Sequence, residues 1–187
     1  MPHELVLRAR SGDHEAFSEL ASASIGRLYA IAYLILRDRD RAQDAVQVSL
    51  VSAWKDMRAL RDPGAWDAWL HRLCVRACYK LARAERRQNE VELAVLRAPD
   101  PTPAADPSLS VAERDAMEHE LGRLPIDQRA VMVLHFYADL TLEQAAEILA
   151  IPTGTAKSRL HRGLRTLRES MRTTDDGSPP QSQERIA

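Results

Sequence analysis

Apolar residues recur along this chain at spacings of three and four rather than two, and the rhythm stops most clearly between Ala98 and Ser110, where four of the ten prolines fall. A period near 3.6 is that of a helix packed on one side, and a proline run cannot continue one. The chain therefore reads as all-α, two small helical domains joined by a Pro-rich linker. The expected bounds are residues 1–92, linker 93–111, second domain 112–172 and a disordered tail 173–187 rich in Asp, Gly, Ser and Pro. Helices are expected at Asp13–Ala23, Ile25–Arg37, Asp40–Met57 and Ala65–Gln88, then at Val111–Gly122, Ile126–Tyr137, Thr141–Leu149 and Gly154–Met171. Asp62 and Pro63 stand where a cap and a first helical turn need them. With 187 residues, 45% of them hydrophobic, there is material for a sizeable core.

Net charge is −1, which taken alone argues against a polyanion-binding protein. Counted by segment it does not: Arg58–Gln88 holds eight basic and three acidic residues, Asn89–Ala150 four and twelve, and Ile151–Arg172 six and one. Two compact basic segments flanking an acidic one suit a chain that meets a phosphate backbone twice, although two solvated helix faces would count the same. The longest strongly apolar stretch, Leu28–Leu36, is far short of the roughly 20 residues of a membrane helix. No basic-then-apolar leader opens the sequence, so a cytoplasmic protein that is not membrane-embedded is expected.

Thr141-Leu142-Glu143-Gln144 has the form of a capping box, and Ala150-Ile151-Pro152-Thr153-Gly154 allows only a tight turn before the next helix, which is helix-turn-helix spacing. In that second helix Ala156, Leu160, Leu164, Leu167 and Met171 form one apolar stripe. Opposite it stand Lys157, Ser158, His161, Arg162, Arg165, Arg168 and Arg172, with Glu169 as the single acidic residue. Such a helix can enter a major groove, small and polar residues at base edges and later arginines at phosphates.

Between Trp66 and Ala84 a second helix carries Arg72, Arg76, Lys80 and Arg83 in a row beside Trp69. A cationic row with aromatics suits single-stranded nucleic acid, while core packing is the commoner fate of Trp66 and Trp69. His71, Cys74 and Cys78 share this helix, but no fourth ligand is evident, so half-buried packing is the better reading of the cysteines and no metal is expected. No catalytic constellation or phosphate loop is visible, so neither an enzyme, a cofactor nor a small-molecule substrate is expected. On the helix Asp40–Met57, Val48 and Val51 sit among Asp44 and Gln47 with Trp54 at the border, a mixed surface suited to docking a protein or simply scattered surface apolars.

These elements in this order resemble a bacterial RNA polymerase sigma factor of the extracytoplasmic-function group. Gly154-Thr155-Ala156-Lys157-Ser158-Arg159-Leu160-His161-Arg162 is similar to that family's recognition helix, preceded by Leu124-Pro125-x-x-Gln128-Arg129 and Glu143-x-Ala145-Ala146. Upstream, Asp40-x-x-x-Asp44-x-x-Gln47, ending at Ala53-Trp54, is similar to the helix that grips the polymerase clamp, and Trp69-Leu70-x-Arg72-Leu73 to the one used at the −10 element. The chain departs from the pattern at Val48, often acidic in the family, at Arg76, usually Asn, and at Ala156, usually Val.

The resemblance implies an alternative sigma factor that binds core RNA polymerase through the clamp helices of the largest subunit and the flap, with promoter DNA and an anti-sigma factor as partners. It implies contact with the −35 element through Thr155, Lys157, Ser158, Arg159, His161, Arg162 and Arg165. Contact with the melted −10 element would fall to Arg61, Trp66, Trp69, Arg72, Arg76, Lys80 and Arg83, and polymerase docking to Asp40, Asp44, Gln47, Val48, Val51 and Trp54. A stand-alone helix-turn-helix regulator remains the alternative; it leaves the basic helix at Trp66 without a role.

Overall fold

The structure is a computed structural model describing residues 2–93 and 120–175, with side chains described for 3–85 and 120–170. The expected linker from residue 94, the start of the helix expected at Val111 and the tail beyond Asp175 lie outside the described residues. Within them all regular structure is helical: α1 (Pro2–Arg10), α2 (His14–Leu36), α3 (Arg39–Lys55), α4 (Trp66–Leu93), α5 (Ile126–Met132), α6 (Leu142–Leu149) and α7 (Thr153–Asp175). Short 3-10 turns at Met57–Ala59 and Pro63–Ala65 lead into α4, and a π-helical turn, Val133–Tyr137, extends α5.

Several bounds differ from the sequence reading for local reasons. The short helix α1 was not expected; Val6 and Ala9 bury it, and it turns into α2 through Gly12 at φ 100. There Asp13 caps α2 by accepting from the Glu15 and Ala16 amides at 3.0 and 3.1 Å and pairs with Arg8. The Ala16 amide and then Arg8 hold the Asp13 carboxyl below its ordinary range. Two helices expected across Asp13–Arg37 are one: no proline interrupts the ladder, and the Ser24 hydroxyl finds a local acceptor in the Leu20 carbonyl (2.8 Å). Helix α7 runs to Asp175, so the first residues of the expected tail are helical. At 23 residues α2 is long and apolar enough to cross a membrane by length and composition alone. Its apolar residues Leu20, Leu28, Ile31, Ala32 and Ile35 are instead buried within the protein.

Helix α3 approaches α2 and α4 through small residues, Ala42, Ala45, Ser49 and Ala53, and the buried Ser49 hydroxyl is satisfied by the Val46 carbonyl at 2.7 Å. Arg41 of α3 pairs with Glu85 of α4. From α4 the core receives Trp66, Leu70, Cys74, Val75, Ala77 and Cys78. This core continues without a break into Ala130, Val133, Leu134, Ala138, Ala145 and Ile148, so the elements before and after residues 94–119 share one apolar interior. Two smaller clusters, Leu124–Met132–Leu167 and Val131–Ala146–Ala156, seat α7 on α5 and α6.

A cation lies inside this junction. Arg129 is buried and donates from Nη1 to the Ile35 carbonyl at 2.7 Å, and from Nη2 to the Gly122 and Leu124 carbonyls at 2.8 and 2.7 Å. Ile35 lies in the last turn of α2, where carbonyls lack helical partners and the helix dipole favours a positive charge. Burial, with Arg37 nearby, pushes the Arg129 pKa down to about 10, still high enough for a charged group at neutral pH. Replacing Arg129 with Ala leaves three carbonyls short of a donor and is expected to cost about 3 kcal/mol. Urea unfolding measures this, and Arg129→Lys is expected to restore less than half, since one ammonium cannot serve carbonyls on both sides of the guanidinium.

Candidate nucleic-acid and docking surfaces

The helix-turn-helix is built as its sequence dictates. The Thr141 hydroxyl accepts from the Gln144 amide at 3.2 Å while the Gln144 side chain accepts from the Thr141 amide at 2.9 Å, completing the capping box. Ala150 ends α6 at φ 53, and Pro152 accepts from the Thr155 amide at 2.9 Å to start α7. Ala156, Leu160, Leu164 and Leu167 face α5 and α6. Ala156 is fully buried against Val131 and Ala146. On the outer face Lys157, Ser158, His161, Arg162 and Arg165 are exposed, and Thr155 is half-buried. Arg162 is oriented by Ser158, whose carbonyl and hydroxyl accept from its Nε and Nη2 at 3.2 and 3.4 Å.

Arg159 differs from its neighbours: its side chain is 21% exposed and turns inward to Asp127 of α5 at 3.1 Å. Gly163 is buried where α7 crosses α5; a Cβ there would lie 2.7 Å from the Met132 sulfur.

On α4, Arg76, Lys80 and Arg83 are exposed, as is Arg61 in the preceding loop, whose carbonyl accepts from Arg10 at 3.4 Å. Arg72 is half-buried and pairs with Glu147 of α6 at 2.9 Å. Trp66 departs from the expectation of a ring available for stacking. It is only 4% exposed, lies edge-on to Phe17 at 6.2 Å, and donates its Nε1 hydrogen to the Ser24 hydroxyl at 3.4 Å. Its large apolar ring is worth more in the core than on the surface. Trp69, 5.8 Å away, is half-buried and keeps an accessible part.

Next to Trp66 a cavity of about 180 Å³ is lined by Ser24, Arg27, Leu70 and His71. His71 is buried with its Nδ1 unpartnered; burial, then Arg27, pushes its pKa down, so the ring stays neutral at pH 7. Cys74 and Cys78 are free thiols and fully buried, not half-buried as expected, and the Cys74 sulfur together with burial pushes the Cys78 thiol well up. Among the described residues no three His, Cys, Asp or Glu side chains are grouped to hold a metal ion.

The third surface is on α3. Asp40, Asp44, Gln47, Val48 and Val51 are all exposed, while Trp54 is half-buried between His14 and Phe17, its ring 4.4 and 5.0 Å from theirs. Asp44 and Gln47 also line a groove with Ile25 and Tyr29 of α2. Sequence reasoning missed Ile25, whose spacing from Leu28 marks it as core although it is exposed. It also missed an apolar groove formed by Leu34, Leu121, Met132, Leu164 and the outward rings of the π-helical turn, Phe136 (61% exposed) and Tyr137. A π-helical turn has no sequence period by which it could have been read.

The model for sigma-70 region 2 matches residues 20–88, and the one for sigma-70, region 4 matches residues 114–167. The ECF RNA polymerase sigma factor SigM of Mycobacterium tuberculosis is 31% identical over 159 residues, covering 85% of this chain and 79% of that protein. Among solved structures, the sigma factor RpoE in complex with the anti-sigma factor NepR from Bartonella quintana aligns with a TM-score of 0.67 at 26% identity, over 83% of this chain and 96% of that one. CnrH in complex with the cytosolic domain of CnrY aligns at 0.67 and 23% identity, over 95% and 99% of the two chains, a likeness of fold. Fold, surfaces and matches together define a transcription initiation factor of the sigma-70 type. The chain belongs to the extracytoplasmic-function group of RNA polymerase sigma factors. It is an alternative sigma factor, which binds core polymerase and directs initiation at promoters.

Gly163→Val is expected to destabilise the protein by about 1 to 3 kcal/mol through overpacking against Met132. Thermal unfolding checks it, and adding Met132→Ala is expected to recover part of the loss, because the two residues compete for one space.

Proposed function

We propose that the exposed face of α7 reads the −35 element and that the basic row of α4 holds the melted −10 strand. Lys157, Ser158, His161 and Arg162 are placed to reach base edges in the major groove, with Thr155 beside them and Arg165 farther along at the backbone. Arg76, Lys80, Arg83 and Arg61 supply a cationic track, and Trp69 a ring on which a base can stack. Trp66 supports this surface from beneath. Asp40, Asp44, Gln47, Val48 and Val51 form the polymerase-docking face, with Trp54 packing α3 against His14 and Phe17 at the start of α2.

The observation that carries the reading is the arrangement of the exposed groups: two basic helical faces nearly free of acidic residues, and a separate exposed mixed face on α3. Residues 1–92 and 112–172 correspond in this reading to the two promoter-binding domains, joined by 93–111. The chain supplies no chemistry of its own, since nucleotidyl transfer belongs to polymerase, and it works in the cytoplasm where polymerase is. By analogy with the RpoE–NepR complex, an anti-sigma factor is a further partner. A stand-alone regulator would use α6 and α7 but neither α3 nor α4.

In vitro transcription with core polymerase tests the whole reading: promoter-specific transcripts are expected, and their absence on all genomic templates would overturn it. In the same assay Arg162→Ala is expected to weaken occupancy of the upstream element by about 1 to 3 kcal/mol, and unchanged occupancy removes Arg162 from the site. Replacing Asp44 and Gln47 with Ala is expected to reduce co-purification with core polymerase while leaving the circular dichroism spectrum intact. Undiminished co-purification places docking elsewhere.

A further inference from the structure

No helix and no site residue was expected before Asp13, yet α1 is there and packs against both short turns of the loop that leads into α4. At its C-terminal end Leu7, Arg10 and Ser11 join Arg58 around an open groove of about 320 Å³. Arg10 also donates from Nη1 to the Arg61 carbonyl at 3.4 Å, so three arginines from α1 and the loop gather at one place. Arg58 and Arg61 are exposed and Arg10 is half-buried.

The acidic residues nearest in the chain to Arg10 and Arg61 are already committed. Asp13 pairs with Arg8 at 2.7 Å and caps α2, and Asp62 accepts from the Gly64 amide at 2.9 Å. Among the described residues none of Arg10, Arg58 and Arg61 has a carboxylate partner, Asp56 included. Gathered cations without a counter-charge repel one another, and an anion placed among them relieves that repulsion. The C-terminal end of a helix does not attract an anion, so the arginines themselves must supply the attraction.

Resting on the assignment of α4 to the melted −10 strand, the course of that strand identifies the anion. Arg61 belongs both to this cluster and to the track formed with Arg76, Lys80 and Arg83, so the positive surface continues from α4 across the loop onto α1. The Arg83 end of α4 leads through residues 94–119 to the helices assigned to the −35 element, which leaves the Arg61 end for the downstream side. Between the two elements promoter DNA is duplex; past the −10 element, toward the start site, it is melted. A strand that overruns the track therefore reaches α1 as a single strand. Its backbone meets the arginines, and its bases are free to lie on Leu7, 45% exposed in the same groove.

We propose that the end of α1 and the turn after α3 form a further DNA site, in which Arg10 and Arg58 hold phosphates of the single strand immediately downstream of the −10 element. Phosphate contacts carry no sequence, so this site fixes the path of the melted strand and leaves the choice of promoter to the other surfaces. Arg8, neutralised by Asp13, lies outside it.

Holoenzyme assembled from core polymerase and the full chain tests this on two fluorescent forks made from a promoter that it transcribes. In one fork the non-template strand stops at the downstream edge of the −10 element, and in the other it runs on for about six nucleotides. Anisotropy titrations over a range of KCl give affinity and salt slope. On the long fork Arg10→Ala/Arg58→Ala is expected to bind about tenfold more weakly than the wild type near physiological salt. Its salt slope is expected to be shallower by about one to one and a half, at roughly 0.7 per single-strand phosphate. On the short fork the two proteins are expected to bind alike. Arg10→Lys/Arg58→Lys is expected to restore more than half of the loss in log affinity, since charge is what these positions supply. Arg58→Ala alone breaks no hydrogen bond among the described residues, and is expected to show about a threefold loss on the long fork should removing the Arg10 bond disturb the loop.

Unchanged affinity on the long fork, or an equal loss on both forks, overturns the site while the role of α4 stands, as long as the wild type binds the short fork. Failure of wild-type holoenzyme to bind the short fork overturns the assignment of α4, and the downstream site with it.

Discussion

The buried guanidinium of Arg129 ties the end of α2 to the start of the helix-turn-helix region, and the placement of the later helices follows from it. Three carbonyls from two parts of the chain converge on one charge. A neutral side chain could fill the space but would leave those oxygens without donors in an apolar setting, which is costly. With the charge in place, α5 lies against α2, the core runs on through Val133, Leu134 and Ile148, and α6 comes to rest on α4. The surfaces assigned to DNA are thereby set in fixed relation, and two of their arginines are drawn to carboxylates.

Electrostatics is distributed here so that the sum conceals the function. A net charge near zero is made of two basic helical faces and an acidic stretch between them. In the folded chain Glu147 and Asp127 are placed against Arg72 and Arg159, while Lys157, Arg162, Arg76, Lys80 and Arg83 remain exposed.

Much was legible wherever a local rule decides the outcome. Thr141 and Gln144 announce their capping box because both partners lie within one turn. The stripe from Ala156 to Leu167 announces its buried face because the helix period places those residues together. The family motifs at Thr155–Arg162 and Asp40–Gln47 carried the function. What could not be read depends on distant partners. Trp66 and Trp69 have the same side chain, and only the position of Phe17 and Ser24 on α2 makes one a core residue and the other half-exposed. Ile25 carries a core spacing on a face that α3 leaves open. Arg159 lies within a run of exposed polar residues, yet Asp127, 32 positions earlier, turns it inward.

By itself the sequence determined that the described chain is helical, which turns hold its helix-turn-helix and which face of α7 is apolar. Each of these depends on residues within a few positions of one another, where spacing translates directly into proximity. Only the tertiary structure decided which cations stay available and which are neutralised, which tryptophan is core, and that elements on both sides of residues 94–119 share one interior. Those outcomes turn on side chains such as Arg72 and Glu147, 75 residues apart, brought together by packing around a buried charge.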